Sequence, residues 1–215
     1  MTKMLLEDAL EMILALEGKT LGSISTPDII NKGSVGQIIE RAIGVDLSSD
    51  LLDFENGELK SNKFLRGAPA ETLAVTQIGH VLKEIHGEIS WARSSVLKKI
   101  QSFIFLPVHK DASDPEDWIV GQAIHFSEKR FPKQYKKLGN DYEEIGTEIR
   151  KVLNGNGSLH TTNGTNDYLQ IRTKDSKDKS GSYHPVKFNG RALSDKNYAF
   201  YLRPHFLNAV LNQNP

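Results

Sequence analysis

At 215 residues, 38% hydrophobic and 25% charged, the chain is long enough for one well-packed domain and somewhat short for two. It contains no cysteine, which excludes a disulfide framework, a thiolate metal site and thiol catalysis. The formal net charge is zero, yet residues 1–60 carry eleven acids against five bases and residues 171–198 seven bases against three acids. A basic segment of that kind can supply phosphate contacts while the acidic part houses a cation, although a solvated basic loop has the same composition.

The first stripe is Leu5, Leu6, Ala9, Leu10, Ile13 and Leu14, an amphipathic helix that Gly18 can end. Its acids Glu7, Asp8, Glu11 and Glu17 argue against a signal peptide, and no apolar run approaches membrane-spanning length, so the chain reads as soluble and cytoplasmic with no membrane partner. Ile29 to Asn31 leads into a turn at Lys32. Ser34 can cap a second helix whose apolar positions Val35, Ile38, Ile39, Ala42 and Ile43 keep helical spacing, with Gly44 at the left-handed C′ position. Glu40 lies off that stripe, either as a surface acid or as a charged group reaching a neighbouring site.

Next comes Asp53, then Glu58, Leu59 and Lys60, the pattern Asp-x4-Glu-x-Lys. On a strand, Glu58 and Lys60 share one face when Leu59 points to the other. Two carboxylates and an ammonium at one point suit phosphodiester hydrolysis. The carboxylates hold Mg²⁺, which lowers the pKa of a bound water and offsets charge on the phosphorane, while the lysine orients or deprotonates that water. Three charged residues at such spacings are also common on a solvated strand and turn.

Ser61 to Ala70 reads as a polar loop crossing the active face, and Leu73 to Ile78 as a buried strand. Ser94 or Ser95 can cap a short helix with Val96, Leu97 and Ile100, followed by a strand from Phe103 to Leu106 that stops at Pro107. Trp118 to Phe126 reads as another strand. Tyr135, Leu138, Tyr142, Ile145, Ile149 and Leu153 mark a helix from Pro132 to Leu153, weakened at Gly139 and Gly146, whose aromatics read as core rather than base-stacking platforms. Asn154 to Asp167 reads as a flexible connector. None of the seven histidines has metal-ligand spacing. Tyr168 to Thr173 is a strand with Arg172 and Lys174 at its end, residue types suited to guanine O6 and N7 in the major groove.

Four blocks, KGSVGQIIERAIG with DFENGELKS, then W91ARSSVLKKIQSFIFLPV108, Y168LQIRTK174 and F200YLRPHF206, resemble in order the MutH and GATC-cutting type II restriction endonuclease family, within the PD-(D/E)XK nucleases. The resemblance implies an α/β fold, a mixed sheet flanked by helices, with two lobes around a DNA cleft in a single domain over residues 1–215. The catalytic lobe falls at roughly residues 20–110 and the recognition elements at roughly 154–205. It implies a Mg²⁺-dependent endonuclease cutting duplex DNA at GATC to leave 5′-phosphates. Asp53 and Glu58 hold the metal, Glu40 assists, Lys60 positions the water and Lys99 steadies the phosphate.

Arg172 and Lys174 become candidates for base contacts, Lys177, Lys179, Lys187 and Arg191 for phosphate contacts, and Tyr201 for sensing adenine methylation, unless it is an interior strand tyrosine. Trp91 matches a family tryptophan, with burial as its role. The departures are a spacer between Asp53 and Glu58 shorter than in MutH, Ser61 where MutH has threonine, and a loop at 176–197 sharing basic character but few identities. Want of an identifiable partner-docking signature favours a restriction enzyme, with a transient homodimer on DNA, over a repair nuclease commanded by a MutL-like partner. A catalytically inactive DNA-binding module is the third reading, opposed by the intact acids and lysine.

Overall fold

The structure, a computed structural model, describes residues 3–25, 35–45 and 52–213. The expected cap at Ser34 and the turn at Lys32 lie outside the described residues. The elements run α1 (Leu6–Leu14), α2 (Leu21–Ile24), α3 (Val35–Ala42), β1 (Glu58–Leu65), β2 (Ala68–Pro69), β3 (Leu73–Gln77), α4 (Leu82–His86), α5 (Ser95–Ile100) and β4 (Ser102–His109). They continue with β5 (Ile119–Val120), β6 (Ile124–Ser127), α6 (Pro132–Leu153), β7 (Thr162–Asn163), β8 (Leu169–Thr173), β9 (Lys187–Phe188), β10 (Arg191–Ala192), β11 (Tyr198–Leu202) and α7 (Pro204–Leu211). Two compact units result, one of residues 1–73, 99–131 and 208–215, the other of residues 74–98 and 132–207. Among the described residues no helix is long and apolar enough to cross a membrane.

The first unit is built on a mixed five-stranded sheet in the order β2-β1-β4-β5, with β6 also on β4. β1 and β4 run parallel from Glu58↔Phe103 to Phe64↔His109, and the remaining pairs are antiparallel. β4 is buried from Phe103 to Val108, as a central parallel strand covered on both faces should be. One face, with Leu59, Ile104, Leu106 and Val108, packs against Leu6, Ala9 and Ile13 of α1 and Val35, Ile38 and Ile39 of α3. The opposite face carries aromatic pairs, Phe64 with Phe105 at 5.9 Å and Phe103 with Phe126 at 5.1 Å between ring centroids. Gly44, at φ 74°, ends α3 as expected, with the Val45 amide reaching back to the Glu40 carbonyl at 2.8 Å, whereas α1 already ends at Leu14 and Gly18, at φ 78°, gives its amide to the Val120 carbonyl.

Three expectations here are corrected. The polar loop from Ser61 is strand, because Asn62, Lys63 and Phe64 continue the parallel ladder opposite Pro107, Val108 and His109, and Phe64 is fully buried. The chain then reverses through a two-residue turn at Arg66 and Gly67, both at positive φ, into β2. Pro107 does not stop β4: its carbonyl still accepts from the Gly121 amide at 2.9 Å, and proline removes only a donor. The run from Trp118 is two strands rather than one, since the chain at Gly121 passes so close to Pro107 and His109 that a Cβ would lie 2.8 Å from His109 Nε2.

The second unit has a four-stranded sheet in the order β3-β11-β8-β7 and the hairpin β9–β10. β8 lies antiparallel to β11, with Arg172 opposite Ala199 and Tyr201 opposite Gln170. Helix α6 has the expected bounds and runs unbroken through both glycines. Gly139 is there for space: a Cβ would meet the Trp91 ring at 2.9 Å. Trp91 packs between Tyr135 and Tyr142; the burial expected for all three holds for Tyr142, while Trp91 and Tyr135 are half-buried. The connector expected to be flexible is tied down by the wholly buried Asp141, whose carboxylate accepts from the amides of Asn166, Tyr168 and Leu169 at 2.8–2.9 Å. Gly164 lies against that carboxyl with no room for a Cβ.

Candidate active site and nucleic-acid-facing strand

β1 begins at Glu58, and because Leu59 enters the core with α1 and α3, Glu58 and Lys60 project from the other face, beside Phe103 and Phe105. Glu58 is 4% and Lys60 8% exposed, unusual for charged side chains unless they are paired. Lys60 Nζ lies 3.1 Å from Glu58 Oε2. Lys99, at the end of α5, brings its ammonium to 2.7 Å from Glu58 Oε1. Both oxygens of one carboxylate are thus held by lysines from different elements. Ser94 sets α5, its hydroxyl accepting from the Leu97 amide at 3.0 Å, and Lys98 is exposed.

Asp53 enters from the turn before β1. The Phe54 amide donates to the Gly57 carbonyl at 2.9 Å and the Phe54 ring is fully buried, anchoring the turn. Gly57 is required by space, since a Cβ would collide with Leu6 and lie 2.8 Å from the Ser102 carbonyl oxygen. Asp53 Oδ2 accepts from the Leu59 amide at 2.9 Å, which fixes its carboxyl toward the first residues of β1. Burial raises the Asp53 pKa first. The charge of Glu58 adds to it, and a hydrogen bond between the two carboxyls favours the protonated form, so the two acids face each other.

Glu40 is half-buried on α3. A Cβ on Gly36 would lie 3.7 Å from both Glu40 Oε1 and Ser61 Oγ, so the helix brings its acid against β1 across a glycine. Its pKa is raised by burial, then by Asp53 and Glu58, and lowered by Lys60. Asp53, Glu58, Lys60 and Lys99 therefore gather at the start of β1, and Glu40 lies near enough on α3 to feel the charges of the first three. Among the described residues no three His, Cys, Asp or Glu side chains already close around one point. The donor set nevertheless fits a hard divalent cation: burial and the charge of Glu58 raise the Asp53 pKa, a cost that a positive charge between the two acids would relieve.

In the second unit Arg172 and Lys174 are exposed at the end of β8, and the Arg172 guanidinium lies 5.6 Å from the centre of the Tyr201 ring. The two are diagonal neighbours across the β8–β11 pair, and Tyr201 is half-buried with its phenol pKa raised by burial. Lys177, Lys179 and Lys187 are exposed, Lys177 lying 5.6 Å from the Tyr183 ring. Arg191 has a different partner: its Nη2 donates to the carbonyls of Val152 and Leu153, the latter at 2.8 Å, at the C-terminus of α6.

The residue pair that sequence reasoning passed over is Asp175 and His184. The Asp175 carboxylate accepts from the His184 amide at 2.7 Å, from His184 Nδ1 at 2.9 Å and from the Asn197 amide at 2.9 Å. No spacing rule joins an aspartate to a histidine across a loop, so nothing in the sequence marks them.

No family model matches the chain. Among curated proteins it is 33% identical over 211 residues to the DNA mismatch repair protein MutH of Haemophilus ducreyi, covering 91% of this chain and 88% of that protein. The MutH of Actinobacillus pleuropneumoniae serotype 3 is 31% identical over 219 residues, covering 95% and 92%. The MutH of Haemophilus influenzae strain PittEE is 28% identical over 221 residues, covering 96% and 94%.

Proposed function

Because the chain belongs to the MutH family of DNA endonucleases, we propose that it is a Mg²⁺-dependent endonuclease of PD-(D/E)XK type acting at GATC in mismatch repair, nicking on command from a MutL-like partner. The observation that carries the chemistry is the grip of Lys60 and Lys99 on Glu58 beside Asp53. The restriction reading, with its transient homodimer, loses ground: it rested on a docking signature not being seen, whereas relatives matched along almost the whole chain bear the name of a repair protein. An inactive binding module is disfavoured by the same intact acids and lysines.

Asp53 and Glu58 would hold Mg²⁺, which when bound lowers the pKa of a coordinated water and offsets the charge of the phosphorane. Lys60 orients the water, whose oxygen attacks phosphorus in line with the departing 3′-oxygen. The P–O3′ bond breaks, the 3′-oxygen takes up a proton, and the 5′-phosphate remains on the other product. Lys99 leaves Glu58 for a non-bridging oxygen of the scissile phosphate, where a positioned cation stabilises developing charge. Glu40 assists by holding negative charge behind the metal ligands. Chemistry is assigned to the first unit. Base and phosphate recognition go to the second, with Arg172, Lys174, Lys177, Lys179 and Lys187 as contacts and Tyr201 beside the adenine.

The test is cleavage of a GATC plasmid by the purified protein and by Glu58→Ala. Feeble nicking by the wild type, none by the variant, and equal DNA binding by both are expected. Full cutting by Glu58→Ala at ordinary Mg²⁺ would refute the assignment, and vigorous linearisation by the wild type alone would restore the restriction reading.

A further inference from the structure

Beside the strand end that carries Arg172 and Lys174, an open groove of about 710 Å³ is lined by Gln77, Thr173, Lys174, Asp175, His184 and Asn197. Three hydrogen bonds give its walls a fixed shape. Asn197 Nδ2 donates to Gln77 Oε1 at 2.9 Å, and Asp175 binds the amides of both His184 and Asn197. His184 is the group in this groove whose orientation is set by an acid. Its ring is 61% exposed while the Asp175 carboxyl that holds it is 4% exposed, so the pair presents an imidazole outward on a sheltered anionic anchor. With Nδ1 taken by Asp175, the ring's other donor, Nε2–H, is left for a ligand.

We propose that His184 is a further DNA-contacting residue, a charged donor that Asp175 aims at an acceptor oxygen or nitrogen of the duplex. The inference rests on the nuclease reading above and adds a residue to it. The chemistry sought is a hydrogen-bond acceptor of negative potential, which DNA offers in two places: a backbone phosphate oxygen and the O6/N7 edge of guanine. Lys174 on the same wall points to the same kind of ligand. The charges that bear on His184 are Asp175 and, more weakly, Asp178, both of which favour the protonated ring against the opposing effect of burial; Lys174 lines the same groove. The Asp175 hydrogen bond and charge raise the His184 pKa above the ordinary histidine value. The contact therefore fades as pH rises through this raised pKa.

The experiment measures equilibrium binding of the full chain to a GATC duplex and to a duplex without GATC, in Ca²⁺, across pH and salt, for wild type, His184→Gln and His184→Lys. Expected are about tenfold weaker binding by His184→Gln at neutral pH, loss of the part of the pH dependence that wild type shows, and recovery of affinity without pH dependence in His184→Lys. Equal weakening on both duplexes, with a salt slope lower by about 1, assigns the contact to phosphate; weakening confined to the GATC duplex assigns it to a base edge. Wild-type affinity and an unchanged pH profile in His184→Gln would overturn this inference alone. A wild type that binds neither duplex would remove the nuclease reading and this one together.

Discussion

The ammonium of Lys99 meets Glu58 Oε1 at 2.7 Å although 41 residues separate the two in sequence. Lys60 holds the other oxygen of the same carboxylate at 3.1 Å, so a metal cation held there would compete with two ammonium groups for one pair of oxygens. Removing Lys99 therefore acts in opposite directions with and without substrate. Lys99→Met should bind Ca²⁺ more tightly than wild type in the absence of DNA, read by calorimetry, because one competitor for Glu58 is gone. On saturating GATC duplex with Mg²⁺ the same variant should cleave about 10²–10³-fold more slowly, the usual cost of losing one donor aimed at developing charge. A fall in both quantities would reduce Lys99 to a structural role.

Asp53 gives a pH prediction with a definite sign. Its pKa is raised, by burial first and then by the charge of Glu58, so the native state holds this proton more firmly than the unfolded chain does. The resulting stability is present below the unfolded carboxylate pKa and is lost as pH rises through the folded one. Metal-free wild type should thus lose melting temperature as pH climbs out of the acid range. Asp53→Asn keeps an acceptor for the Leu59 amide without the charge, and should show a shallower slope, the remainder coming from Glu40, whose pKa is raised in the same way. Added Mg²⁺ should restore melting temperature in wild type and do little for the variant. Superimposable pH profiles in the two proteins would mean that burial and repulsion at Asp53 carry no energy.

The site was legible because its chemistry is local. Asp53, Glu58 and Lys60 fall within eight residues, and strand alternation alone places the last two on one face. Lys99 was not legible by spacing, since α5 reaches Glu58 only through tertiary packing, and the family resemblance named it; Glu40 was legible only as an acid off the apolar stripe of α3, free to be either a surface group or part of a neighbouring site. The long helix was legible to the residue because its apolar stripe is continuous over Pro132–Leu153. What failed depended on the neighbours of a backbone. Ser61 to Leu65 is polar enough to read as loop, yet β4 draws it into a parallel ladder. The close approach that breaks the strand at Gly121 involves Pro107 and His109, more than ten residues earlier in the chain. One miss had a local signal: Asn189 and Gly190, at φ 48° and 80°, form the two-residue turn that joins β9 to β10.

Two glycines of the second unit rank differently as sites for alanine. A Cβ at Gly139 would sit 2.9 Å from the edge of the Trp91 ring, a half-buried side chain that can shift. At Gly164 it would strike the Asp141 carboxyl, which is wholly buried and held by backbone amides of Asn166, Tyr168 and Leu169. Gly139→Ala should cost about 1 kcal/mol and Gly164→Ala about 3 kcal/mol or more, the two ends of the ordinary overpacking range. Urea denaturation followed by circular dichroism reads both. The reverse order would show that Asp141 and its connector move more easily than Trp91.

Arg191 and Lys187, both proposed phosphate contacts from the sequence, have different surroundings within one hairpin. Both were candidates for phosphate, both are exposed, and they lie on adjacent strands with Arg191 opposite Phe188 and Lys187 opposite Ala192. The Arg191 guanidinium, however, donates to the Val152 and Leu153 carbonyls, acceptors that the last turn of α6 leaves without helical partners. A cation there also opposes the negative end of the helix dipole. Arg191→Ala should therefore lower stability by about 0.5–1 kcal/mol, a melting shift of about 1–4 °C for a chain of this size, and leave the salt dependence of DNA binding close to wild type. Lys187→Ala should do the converse: unchanged melting, weaker binding on every duplex, and a salt slope smaller by about 1. Should Arg191→Ala melt like wild type and flatten the salt slope, its guanidinium leaves α6 to meet the DNA backbone, and the hairpin contributes two phosphate contacts instead of one.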